Sequence, residues 1–326
     1  MLTTIIKSTG YARRLAFLSL LPRQYLAVLL TLLAVCLITA LLSPVFFTAT
    51  NLINVMRQIA ILGIVSSGMA ILMISGGIDL SVGVTISLAG VSTGWVLSHG
   101  YGQFAAILAG ILVGALVGLV NGVIVTKTRV APFISTLAMM SILQGLALIM
   151  TEGRQIPNLG GKYFEFLGSG MIGFIPMPVV LMVAIFLISH VLLRNTKWGR
   201  NWFAIGGNEE TSYLSGIDVN ALKISVYILN GLLAGIAAVI LTSRIGAALP
   251  LMGSGYELQS IAAVVIGGVS LTGGRGSLVG AFLGVLLLGV ISNSLNMLNV
   301  SSFYQYIAVG TIIMVAVIAN QYSLKH

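Results

Sequence analysis

The sequence predicts an all-α, polytopic membrane protein of about ten transmembrane helices. Three observations carry this. Of the 326 residues, 58% are hydrophobic and only 7% charged, with a mean hydropathy of +1.08. A soluble chain keeps roughly 25% charged residues, which this one lacks. Apolar runs of bilayer length, about 20 residues each, recur along the chain, and its basic residues collect in alternate connecting segments.

Taken in order, the apolar runs lie at 25–43, 52–75, 80–98, 103–126, 130–151, 176–194, 223–243, 258–272, 277–298 and 303–321. The first follows Lys7, Arg13, Arg14 and Arg23. Its length, and Ser43-Pro44 in place of a small-residue cleavage site, predict an uncleaved first helix. Placing the N-terminus inside puts Lys7, Arg13, Arg14, Arg23, Lys127, Arg129, Arg194, Lys197, Arg200, Lys223, Arg275 and Lys325 in inner segments. Arg57, Arg154, Lys162 and Arg244 fall on the outer side. Adding or dropping a helix scrambles this asymmetry, so ten spans with both termini cytoplasmic is the consistent solution. The organisation expected is a cytoplasmic segment 1–24, one transmembrane domain 25–321 and a short tail 322–326. The net charge of +9 belongs to this orientation signal, since a nucleic-acid surface would gather its cations on one polar face.

Glycine patterns the packing. Gly110, Gly114, Gly118 and Gly122 stand four residues apart on one helix face, where a second backbone can approach closely. Packing within the chain is the simpler reading, and a seam between copies is the alternative. Gly231/Gly235 and Gly280/Gly284 repeat the spacing.

An internal echo links two breaks between spans. GGIDLSVG at 76–83 aligns with GGVSLTGG at 267–274, pairing Gly76, Gly77 and Asp79 with Gly267, Gly268 and Ser270. Glycine permits a sharp turn. Asp79 and Ser270 then suit N-caps of the following helices. Coordination of an ion or substrate is the sharper reading of Asp79, because carboxylates inside membranes are costly. The glycine context favours the cap.

The longest inner loop, 195–222, mixes Trp198, Trp202, Phe203, Tyr213 and Leu214 with charges. Asn208 is a plausible cap for a short helix, Glu209 and Glu210 suit its first turn, and Gly216 its end. Such an amphipathic helix either folds back on the span ends or docks in a partner's groove.

Three segments carry a resemblance: SGGIDLSVG at 75–83, GRNWFAIGGNEETSYLSGI at 199–217 and GYELQSIAAVVIGGVSLTGGRG at 255–276. They closely resemble the permease subunits of sugar-importing ABC transporters, nearest the ribose, allose, xylose, arabinose and galactose permeases. The resemblance implies the ABC importer permease fold, assembled as a homodimer around a central pathway in the bacterial inner membrane. It also implies a cytoplasmic ATPase partner that uses ATP and Mg, and a periplasmic sugar-binding protein. It assigns the loop to ATPase contact through Gly199, Arg200, Gly206, Gly207, Asn208, Glu209, Leu214 and Gly216. The chain departs from these relatives at Thr211 and Ser212, where alanines are common, and at Gln259 and Ser260, where one position is often acidic.

The chain has no G-x-x-x-x-G-K-[ST] stretch to hold nucleotide phosphates. Cys36, His99, His190 and His326 have no metal-ligand spacing. Asn121, Gln144, Asn230, Asn293, Asn296 and Gln305 are candidates to line a pathway or to bond across helices. Tyr227, Phe282 and Tyr304 could stack on a sugar or pack. Arg244 and Glu257 flank an outer loop and suit a mutual ion pair, an outer gate or contact with the sugar-binding protein. A permease of an ATP-driven monosaccharide importer, itself without catalysis, is the leading reading. An ion-coupled transporter relying on Asp79 is the alternative.

Overall fold

The computed structural model describes residues 23–128, residues 130–301 and eight positions between 304 and 318. Nine expected spans correspond to described helices. The tenth, 303–321, lies largely outside the described residues, as do 1–22 and 319–326. The helices are α1 (Arg23–Leu42), α2 (Ala49–Ile74), α3 (Val82–Ser98), α4 (Gln103–Thr128) and α5 (Pro132–Thr151), then a short α6 (Lys162–Ser169). A two-stranded hairpin, β1 (Met171–Ile172) with β2 (Ile175–Pro176), leads into α7 (Met177–Asn195). After it come α8 (Lys197–Gly207), α9 (Glu209–Leu214), α10 (Val219–Ile245), α11 (Tyr256–Ile266) and α12 (Leu278–Met297).

Among the described residues, seven helices are long and apolar enough to cross a bilayer; α3 and α11 are shorter. Burial sorts them. α2 is the central element, with every residue from Ile59 to Ile74 buried. α3 is buried without a break from Val82 to Gly94. α1 and α5 turn large side chains such as Leu33, Leu37, Ile142 and Ile149 outward, as lipid-facing helices do when lipid is as apolar as the core.

The glycine stripe of α4 faces α10, within the chain. A Cβ on Gly114 would overlap the Gly231 carbonyl, one on Gly118 the Tyr227 carbonyl, and one on Gly235 would crowd the Gly110 carbonyl oxygen. Gly280 and Gly284 of α12 lie in the same way on Gly267 and Ala263. Close backbone approach maximises dispersion contact between helices, the main attraction available where no hydrophobic effect separates helix from lipid.

The helix ends gather at two levels. At one, here the loop end, α8 and α9 lie against the ends of α2, α10 and α7. At the other, the hairpin end, α6 packs on the C-terminal turn of α10, where Ser243 Oγ donates to the Phe164 carbonyl and accepts from Gly168 N–H at 2.9 Å. Sequence reasoning did not anticipate α6, the hairpin or α8.

The expected span 258–272 needs correction. Its helix, α11, covers only Tyr256–Ile266, about 16 Å at 1.5 Å per residue. The preceding residues descend along α3 in extended and turn conformation: Ala248 lies at Gly94, Met252 at Gly90, and Gly253 and Glu257 at Gly83. That is about 16 Å of helix rise. α11 is therefore half a span, starting deep beside α3. Irregular backbone at this depth is tolerated where protein buries it, and here the chain supplies the partners: Gly253 N–H donates to Ser87 Oγ at 3.0 Å, and Gln144 Nε2 to the Pro250 carbonyl at 3.1 Å.

Candidate coupling and translocation site

The two echoing turns meet at the loop end. Gly76 (φ +83°) ends α2 and Gly268 (φ +88°) follows α11, each in the left-handed region that glycine enters without strain. The turns then touch: Gly274 N–H donates to the Ile74 carbonyl at 2.8 Å, and a Cβ on Gly273 would crowd Gly76 Cα. Gly206, near the end of α8, fits between them, where a Cβ would overlap the Ile74 carbonyl oxygen and crowd Gly274 N. Three backbones thus converge where no side chain fits.

The hydrogen bonds repeat as the sequence does. Asp79 Oδ1 accepts from Ser81 N–H at 2.8 Å and from Ser81 Oγ at 2.6 Å. Ser270 Oγ accepts from Thr272 N–H at 3.2 Å and meets Thr272 Oγ1 at 2.8 Å. Both are i to i+2 side-chain turns of the kind Asp and Ser make readily. Neither residue is the expected N-cap. Ser81 occupies the cap position of α3, and Ser277 caps α12 by accepting from Val279 N–H. The cap reading failed because a side chain two residues from an N–H can close its own turn first. In the second repeat, Gly273, Gly274 and Gly276, all at positive φ, also carry the chain further before the helix starts.

Asp79 differs from Ser270 in reach. Its Oδ2 accepts from Asn230 Nδ2 at 2.9 Å, and Oδ1 meets Asn121 Nδ2 at 3.5 Å. Asn121 also donates to Ser81 Oγ at 2.8 Å. The carboxylate therefore ties the first turn to both α4 and α10. All four residues are buried, and the one ion pair among the described residues lies elsewhere, between Lys223 and Glu209 at 2.5 Å. Hydrogen-bond donors, not a cation, offset the cost of burying this carboxyl. Tyr227 seals the cluster by donating to the Ile78 carbonyl at 3.2 Å.

The loop from 195 to 222 forms two helices rather than the single one expected. Thr196 caps α8 by accepting from Gly199 N–H at 3.2 Å, and Trp202 and Ile205 anchor it in the core. Asn208 caps α9, accepting from Thr211 N–H at 2.8 Å, and Gly216 (φ +82°) follows its end. Tyr213 and Leu214 then project from α9, 71% and 77% exposed. Beside them lies a groove of about 1090 Å³, between the α4–α5 connection at Thr126 and Pro132 and the residues Glu209, Glu210, Asp218 and Lys223.

A family model described as the permease component of a branched-chain amino acid transport system matches residues 51–318. The chain belongs to this permease family. Its relatives include the ribose import permease protein of Bacillus subtilis, 46% identical over 91% of this chain and 93% of that protein. The ribose import permease protein of Escherichia coli is 42% identical over 92% and 94%. The L-arabinose transport system permease protein of Escherichia coli is 41% identical over 88% and 87%. No solved structure matches the chain.

The permease places the remaining candidate residues as follows. Among those expected to dock, Gly199 and Gly206 face the chain's own backbone, while Arg200, Gly207, Asn208, Glu209, Leu214 and Gly216 are exposed. Glu257 and Arg244 do not form the expected ion pair. Glu257 is buried against Gly83, its carboxylate accepting from Gly255 N–H at 3.1 Å, where the α11 dipole also favours it. Arg244 stays at the hairpin end, because the descending segment carries Glu257 away from it. Asn293 is half of a reciprocal amide pair with Asn51, at 2.9 and 3.2 Å, that joins α12 to α2. Asn296 is exposed at the end of α12. Phe282 packs on Phe186 at 5.1 Å between centroids. Asn51 and Ser87 went unnoticed in the sequence, because single polar residues in apolar runs signal no partner until the topology supplies one.

Proposed function

We propose that the permease is the membrane subunit of an ATP-driven monosaccharide importer. It works as two copies in the bacterial inner membrane, with the loop end and both termini in the cytoplasm. A separate ATPase subunit uses ATP and Mg, and a sugar-binding protein delivers the substrate at the hairpin end. Relatives named for ribose, arabinose and allose support a monosaccharide cargo. The basic residues Lys127, Arg194, Lys197, Arg200, Lys223 and Arg275 all belong to loop-end segments, which supports the orientation.

The observation that carries the mechanism is the seating of Gly206. α9 offers Tyr213 and Leu214 outward while α8, joined to it through Asn208, wedges between both glycine turns. A displacement of α9 by a docked ATPase therefore reaches α2, α3 and the half-span α11 through rigid backbone contacts. The half-span gives the pathway a discontinuous helix, the kind of element that forms the transport site in other transporters.

The test is sugar uptake into proteoliposomes holding permease, ATPase and binding protein. Uptake should need ATP and persist when ion gradients are collapsed. Leu214→Asp should abolish recovery of the ATPase with the permease while insertion stays normal. Uptake that follows an ion gradient after ATP is removed would instead establish the ion-coupled alternative.

A further inference from the structure

A second groove opens at the loop end, about 700 Å³ in volume, bounded by α1, α7, α8 and α12. Its charge is opposite to that of the groove beside α9. Arg194, Arg200 and His190 line it together with Tyr25, Phe203 and Ser277, and no carboxylate contributes. Among the described residues neither arginine has an ion-pair partner. The acidic groove, by contrast, holds Glu209, Glu210 and Asp218 around Lys223.

The surface continuing from the basic groove is apolar. His190 and Arg194 sit one turn apart at the end of α7, and Leu187 and Val191, three residues before each, share that side of the helix. Leu187, Ile188 and Val191 are 56%, 67% and 53% exposed. A cationic rim thus stands at the membrane surface directly above a lipid-facing wall. That is the shape of a phospholipid: an anionic phosphate above acyl chains. Guanidinium groups bind phosphate in bidentate fashion, and basic pockets between transmembrane helices at the cytoplasmic face hold anionic headgroups. An acidic segment of a partner protein would satisfy the arginines and leave the apolar wall unused.

We propose that this groove is a site for one anionic phospholipid, its phosphate held between Arg194 and Arg200 and its acyl chains lying along α7. Bound there, the lipid ties the start of α8 to the bilayer, on the side away from the α9 groove. The site does not depend on which solute the permease carries.

The test uses the full-length permease in nanodiscs, read by native mass spectrometry. The probes are phosphatidylglycerol, phosphatidylcholine of the same chain length, and inorganic phosphate. The wild type should retain one tightly held phosphatidylglycerol in preference to phosphatidylcholine. Arg194→Gln with Arg200→Gln should weaken it about thirtyfold, the expected effect of two surface cations. Arg194→Gln alone should weaken it about fivefold and serves if the double variant fails to insert. Arg194→Lys with Arg200→Lys should keep most of the retention, and Lys197→Gln, outside the groove, should keep all of it. Equal retention of the two lipids, or undiminished phosphatidylglycerol in the glutamine variants, would overturn the site. Displacement by inorganic phosphate alone would make it a free-anion site and overturn the lipid assignment. Loss of ATPase recovery with lipid retention unchanged would make it a protein contact and overturn it equally.

Discussion

The first glycine turn, 76–83, and the second, 267–274, share sequence, a left-handed glycine and an i to i+2 hydrogen bond, yet they are held differently. Asp79 extends the first turn's bonds to Ser81, Asn121 and Asn230, joining it to two long helices. Among the described residues, the side chain of Ser270 reaches only Thr272. α3 starts within the first turn, at Val82, while Gly273, Gly274 and Gly276, all at positive φ, carry the second turn on before α12 starts at Leu278. The helix beyond the first break is buried for thirteen consecutive residues. The helix before the second break is a half-span. The first turn is fastened to other helices by a side chain, whereas its counterpart is held by backbone contacts, Gly274 N–H on the Ile74 carbonyl and Gly267 on Gly280. The carboxylate answers to that difference: a buried carboxylate bonded to two further helices fixes a position more firmly than a hydroxyl bonded to its neighbour.

The largest expected effect comes from cutting the fastening. Asp79→Ala leaves Ser81 and Asn230 with unmet donors at about 1–3 kcal/mol each, while Asn121 keeps its bond to Ser81 Oγ. It should lower the melting temperature in detergent sharply and abolish uptake, well beyond the about 1 kcal/mol of a lost cap. Asp79→Asn should be milder, because Asn230 can rotate its amide and offer its Oδ1, which has no hydrogen-bond partner among the described residues. Asn230→Asp in the Asp79→Asn background should then recover stability, whereas Asn230→Asp alone should not be tolerated, since two carboxylates would face each other.

Gly118→Leu comes next. It forces α4 from the Tyr227 carbonyl and should cost at least the 1–3 kcal/mol typical of overpacking. An unchanged melting temperature would mean that this face looks at lipid. Gly206→Ala should have a smaller effect on stability and a disproportionate one on function. One methyl group pushes α8 from the two turns, so ATPase recovery should persist while coupled uptake falls about tenfold or more. Equal loss of both would reduce Gly206 to a packing residue.

Much of this architecture is legible in the sequence. The apolar runs mark the helices because a span must satisfy its own backbone inside a bilayer. The four-residue glycine spacing of α4 marks a close contact, although only the structure names α10 as the partner. Asn208 and Gly216 mark the ends of α9 because capping chemistry is local. The half-span was not legible. The run at 258–272 is apolar enough for a helix throughout, and what ends it early is the tertiary seating of Gly267 on Gly280. The Asp79 network was hidden for the same reason: Asn121 and Asn230 lie 42 and 151 residues away, a separation that no local pattern reports.

The claim that a side chain fastens one turn to other helices and not the other rests most directly on a paired measurement. Asp79→Ala and Ser270→Ala remove side-chain acceptors at matching positions of the repeat. Thermal unfolding of the two variants, with the permease in the same detergent, compares them. The account predicts a large loss for Asp79→Ala and less than about 1 kcal/mol for Ser270→Ala, which gives up only local bonds. Equal destabilisation by the two would contradict it.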